Sequence, residues 1–240
     1  MPRLNREWTV ANHTQPKWVT GGILTVESTI KMPLGSFPRR MTAIALANGR
    51  SAIFSPVSLD KKGMKKLEGL GEPRYLIVPN AHHRLDLKAW AERFPHAYVL
   101  APDGARSAVE DAASVAGNQA LFKDADAQLL LVAGTGASEF ALKVRRDDGV
   151  TLIVNDIIAH VTHPQGLMAK LMARAMGFGV KEPQIPRVVR RLLVKDRIKL
   201  ARQMLDWADE PELVRIIPSH GEIITKPYPA LTRIAASLER

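Results

Sequence analysis

Tyr75-Leu76-Ile77-Val78-Pro79-Asn80-Ala81-His82-His83-Arg84-Leu85 is an apolar run of strand length that stops at a turn carrying an amide, two imidazoles and a guanidinium. Two later segments have the same form: Leu152-Ile153-Val154-Asn155-Asp156 and Ile216-Ile217-Pro218-Ser219-His220-Gly221. Short apolar runs bounded by turn residues are buried strands, and α/β folds build their sites at the ends of such strands. The sheet holds each side chain rigid while the adjoining loops admit a ligand. Three strand ends offering His, Asp and His therefore point to one polar site on a layered fold.

The bulk properties bound the chemistry. The chain has 240 residues, enough for a full core, and no cysteine. Disulfides, thiolate metal sites and a Cys nucleophile are thereby excluded. Met1-Pro2-Arg3-Leu4 leads into no apolar leader, and no uncharged run approaches the roughly 20 residues of a membrane span. A cytoplasmic protein without a transmembrane segment is the expectation. The formal charge of +10 favours acidic partners, a small anionic ligand such as a nucleotide, nucleic acid or anionic lipid. Lys181–Arg202 holds eight basic residues against two acidic ones. Aromatic residues are few and not interleaved with arginine, so nucleic acid is not the expected partner.

Working outward, residues 1–40 carry four prolines and one strand-like stretch, Gly22–Ile30, and read as an arm that adds an edge strand. Asn48-Gly49 and Asp147-Asp148-Gly149 mark hairpins, because these residues tolerate positive φ. Helical spacing covers Asp60–Leu70, Asp86–Phe94, Gly166–Met176 and Pro229–Leu238. In Pro186–Trp207 the apolar stripe changes face, from Val189, Leu192 and Leu193 to Val194, Ile198, Ala201 and Leu205. This predicts a break near Val194. The Met168, Met172, Met176 stripe reads as core, with an interfacial helix or a homodimer contact as the alternative. Gly134-Thr135-Gly136 reads as a turn, since no phosphate-loop Lys-Ser/Thr follows it. His160 and His163 read as a surface loop.

The order His-rich turn, Asp, His-Gly resembles the ligand order of the metallo-β-lactamase superfamily. The resemblance implies an α+β four-layer αββα sandwich, a single domain over residues 20–240 behind an N-terminal arm, 1–19. Against the family's His-x-His-x-Asp-His turn, Asn80 stands at the first His, His82 at the second, Arg84 at the Asp and Leu85 at the third His. Leu130–Thr135, at the next ligand's place, holds no His, while Asp156 and His220 match the last two ligands. The implied centre holds at most one zinc or other divalent metal, on His82, Asp156 and His220 with help from Asn80 or His83. A guanidinium at Arg84 would repel a second cation.

Each of these residues also has a plain structural reading. His82 and His83 could satisfy backbone groups of the following helix, Asp156 could pair with Arg84 in place of a metal, and His220 could close a strand end. Three functions follow. The first is a degenerate site that binds a ligand without catalysis. The second is a mononuclear hydrolase in which Asp156 and Arg84 act on an anionic ester, thioester or phosphoester. The third is a basic surface for anionic lipid or nucleic acid.

Overall fold

The structure is a computed structural model that describes residues 4–32, 35–164 and 167–239. Among the described residues ten strands form two sheets. The first runs in the order β1 (Lys17–Thr20), β2 (Ile23–Met32), β3 (Gly35–Ala45), β4 (Ser51–Phe54), β5 (Pro73–Ile77), β6 (Tyr98–Leu100). The second contains β7 (Ala127–Leu131), β8 (Phe140–Arg146), β9 (Gly149–His160) and β10 (Leu213–Gly221), in the order β10-β9-β8-β7. Seven α-helices accompany them among the described residues: α1 (Lys61–Glu68), α2 (Leu87–Arg93), α3 (Arg106–Glu110), α4 (Leu167–Met176), α5 (Arg187–Leu192), α6 (Arg197–Ala208) and α7 (Pro227–Leu238).

Alternation along the strands creates the layers, because successive side chains leave opposite faces. On β4, Ile53 faces the helices α1, α2 and α3, whereas Ala52 and Phe54 face the second sheet. Leu76 on β5 does the first, and Tyr75 and Ile77 do the second. In the second sheet Leu152, Val154 and Ile216 pack under α6 and α7, while Ile153 and Ile217 enter the space between sheets. Three apolar cores thus separate four layers, an αββα sandwich spanning the chain as one domain.

Leu4, Trp8 and Ala11 pack on the outer helical layer, while the rest of the stretch read as an arm with one edge strand forms β1, β2 and the start of β3. Trp8 stacks against Trp90 at 5.3 Å and donates from Nε1 to the Leu59 carbonyl at 2.9 Å. Both hairpins form at the expected turns, β3–β4 and β8–β9. The helix break also falls near Val194: α5 ends at Leu192, and Asp196 starts α6 by accepting the Lys199 N–H at 3.0 Å. Gly134 is built into that break. Its carbonyl accepts the N–H groups of Lys195 and Asp196, and its φ of +75° leaves no room for a Cβ against the Asp196 carbonyl.

One expected face is corrected. The buried side of α6 is Leu200, Ala201, Met204, Trp207 and Ala208, and Ile198 and Leu205 are exposed. The Trp207 and Met204 side chains fill the space against β9 and β10, which rotates the helix away from the stripe read in the sequence. The side chains of Met168 and Met172 lie outside the described residues, as do residues 1–3 of the arm. Among the described residues no helix is long and apolar enough to cross a membrane.

Candidate metal centre

One end of the sandwich collects the polar residues, and the topology explains why. β4 and β5 are parallel, β9 and β10 are parallel, and β8 is antiparallel to β9. The carboxyl ends of β4, β5 and β10 and the start of β8 therefore meet at one rim. The Phe140 N–H donates to the Pro79 carbonyl at 2.9 Å and ties the two sheets together there.

Asp156 does not sit at a strand end, as its sequence suggested, but on a bulge. Pro218 pairs with Val154 and His220 with Ala159, so a two-residue step along β10 spans five residues along β9. The surplus residues turn Asp156 out of the ladder, and bulges commonly re-aim side chains in this way. Its Oδ1 lies 2.8 Å from His220 Nε2 and 3.3 Å from His83 Nε2, and the two Nε2 atoms are 3.2 Å apart. His83, Asp156 and His220 each offer one ligand atom, all within 4.8 Å of one another.

The imidazole of the turn that enters this cluster is His83, and His82 is exposed. The motif alignment had favoured His82. The backbone of the turn decides otherwise, because Asn80 Oδ1 accepts the His82 N–H at 2.9 Å and closes an Asx turn. The Asn80 Nδ2 group then donates to Asp156 Oδ2 at 2.7 Å and to Glu139 Oε2 at 3.0 Å. An amide nitrogen between two carboxylates fixes the orientation of this side chain. Asn80 positions the carboxylate, and its oxygen is turned to the backbone.

Arg84 places its guanidinium on the Ala81 and Ala108 carbonyls and on Asp111, at 2.8 Å from the carboxylate. The ion-pair partners of Asp156 are His83 and His220. The expected replacement of a metal by an Arg84–Asp156 pair is thus not the arrangement found. His160 and His163 stand apart from the three-residue cluster.

Two residues of the site were not read from the sequence. Glu139, fully buried, accepts the Ile157 N–H at 2.9 Å as well as the Asn80 amide, and so brackets the bulge that carries Asp156. Ser55, one residue past β4, has φ +56° and sets its Oγ 2.8 Å from His83 Nδ1. A left-handed non-glycine residue is strained, and such strain collects at functional sites.

The electrostatics follow from burial. Removal from water pushes the Glu139 carboxyl well above the usual carboxylate range, and the Asp156 charge pushes it further. Burial would also raise Asp156, but the charge of His83 and hydrogen bonds from His220 and His83 outweigh it and hold that carboxyl well below its ordinary value. Desolvation lowers His83, against the pull of Asp156.

The two histidines are oriented from behind. His220 Nδ1 lies 2.7 Å from the Pro38 carbonyl, an acceptor only, so Nδ1 carries the proton. Its Nε2 then directs a lone pair at Asp156 Oδ1, and a second proton or a cation must lie between them. Backbone carbonyls and hydroxyls behind ligating imidazoles fix the tautomer in this way. The donor set, two imidazole nitrogens and a carboxylate oxygen, fits one divalent ion. A cavity of about 340 Å³ lies near the end of β10, lined by Pro38, Arg39, Ser219 and Gly221 among others, and its described lining includes none of His83, Asp156 and His220.

The fold these elements define is that of the metallo-β-lactamases. The metallo-β-lactamase FIM-1 from Pseudomonas aeruginosa, in its mono-zinc form, superposes with a TM-score of 0.61 at 14% identity, over 95% of this chain and 96% of that one. The metallo-β-lactamase from Hirschia baltica gives 0.59 at 11%, over 95% and 98%. The metal-soaked Flv1 flavodiiron core from Synechocystis sp. PCC6803 gives 0.60 at 15%, over 96% and 61%. No protein-family model and no curated protein matches the chain.

Proposed function

We propose that the protein binds one divalent metal at His83, Asp156 and His220 and acts as a mononuclear metal-dependent hydrolase. The observation that carries this reading is the Pro38 carbonyl behind His220, which commits Nδ1 and leaves Nε2 facing a carboxylate oxygen 2.8 Å away. A bound divalent ion supplies Lewis-acid polarisation and a water acidified toward neutral pH. The chain's own residues provide the rest. Ser55 and Pro38 orient the imidazoles, while Asn80 and Glu139 hold the carboxylate. The rival reading, a site that binds without catalysis, rests on Arg84 standing at the motif's Asp position, and the absence of turnover in the metal-loaded protein would favour it.

The test is elemental analysis of the purified protein before and after zinc or manganese loading. The expected content is one metal per chain, lost in His220→Ala, together with hydrolysis of simple aryl esters, thioesters or phosphodiesters. No metal under either loading ends the metal reading. Stoichiometric metal without turnover leaves the metal site and removes the hydrolase.

A smaller effect tests the hydroxyl behind His83. Ser55→Ala is expected to weaken metal affinity by about tenfold with the fold retained, since outer partners of ligating histidines contribute roughly 10–100-fold. Competition with a chromophoric chelator measures it, and unchanged affinity would remove Ser55 from the site.

A further inference from the structure

The apolar residues left out of the core by the rotation of α6 lie in the most basic stretch of the chain. Leu192 at the end of α5 is 60% exposed, and Ile198 and Leu205 on α6 are 65% and 39% exposed. Ile198, Arg202 and Leu205 follow i, i+4, i+7 spacing and share one face of α6. Arg191, Lys195, Arg197, Lys199 and Arg202 are exposed around them. From Arg187 to Leu205 there are seven basic residues and one acid, Asp196, and two exposed acids, Asp206 and Asp209, follow at the carboxyl end of α6. That acid caps α6 through the Lys199 N–H and lies 3.6 Å from Lys199 Nζ.

We propose that this α5–α6 face docks on an anionic lipid bilayer, with Leu192, Ile198 and Leu205 at headgroup depth and the surrounding Lys and Arg side chains on lipid phosphates. The charge of the face decides among occupants. A second copy of the chain would bring an equally basic surface against it, and like charges repel. A nucleic-acid backbone would satisfy the cations but leave three aliphatic side chains wet, and no aromatic residue lies in Arg187–Leu205 to stack on a base. An anionic membrane surface uses both parts, because interfacial binding combines buried apolar area with attraction to charged headgroups. The metal cluster lies at the strand-end rim and contributes none of these residues, so the docking reading stands without the hydrolase reading.

Cosedimentation of the full chain with vesicles tests it. The protein is expected to partition onto phosphatidylcholine–phosphatidylglycerol vesicles and not onto phosphatidylcholine alone, with binding that weakens as salt is added. Leu192→Gln with Ile198→Gln is expected to lower partitioning about tenfold at constant charge. Lys195→Glu with Arg197→Glu is expected to abolish it. All four residues are exposed, and a melting curve for each variant confirms that the fold is kept. Failure to bind mixed vesicles at low salt overturns the proposal. So does full binding by the glutamine variant, which would reduce the effect to nonspecific charge, or tighter binding to duplex DNA than to the vesicles.

Discussion

Gly221→Ala is expected to destabilise the protein by about 4 kcal/mol or more, in the range reserved for backbone conflicts and major core loss. Gly221 has φ +97°, a region that L side chains rarely adopt. A Cβ there would stand 2.0 Å from the His160 carbonyl oxygen and 2.2 Å from its carbon. Those atoms belong to β9 and cannot rotate aside. The Glu222 N–H also donates to that carbonyl at 2.7 Å, so relief requires parting β9 from β10. The same motion carries His220 away from Asp156, so metal capacity falls along with stability. Urea denaturation and elemental analysis read the two effects. A wild-type denaturation midpoint would show that β10 ends differently.

The close approach at Gly221 was not legible in the sequence, although the strand leading to it was. Short apolar runs marked the strands that carry Leu76, Ile153 and Ile216, and the positive-φ residues placed both hairpins. These are local signals, set by neighbours along the chain. The β9 bulge depends on its register with β10, some sixty residues away, and no local pattern encodes it. The choice between His82 and His83 turned on one Asx hydrogen bond at Asn80. Glu139 was not singled out in the sequence, since its partners Asn80 and Ile157 come from distant parts of the chain. On α6 the stripe read in the sequence holds only at Ala201, because the helix buries Leu200, Met204 and Trp207 beside it and leaves Ile198 and Leu205 outside.

Asp156→Asn is the second large effect, and it separates metal binding from folding. In the native site Oδ2 accepts the Asn80 amide, and Oδ1 faces both imidazoles. An asparagine can keep the first contact through its oxygen, which turns an amide N–H₂ toward His220 Nε2. That donor suits a lone pair and repels a cation. Metal affinity should fall about a hundredfold or more, beyond the loss of an outer partner, while the metal-free protein stays folded. The pH profile of the metal-free protein gives an independent check. Asp156 is depressed in the fold, so its stabilisation is present above the unfolded carboxylate value of about 3.9 and is lost as pH falls. Glu139 is raised, so its contribution is complete below about 4.3 and is lost as pH climbs through the folded value. The substitution removes the first dependence outright. It also weakens the second, because the Asp156 charge is one of the causes that raise Glu139. Thermal melts across acidic to neutral pH should therefore be flatter for the variant than for wild type. If the two profiles instead coincide, Asp156 and Glu139 do not share the electrostatic site that the Asn80 amide joins.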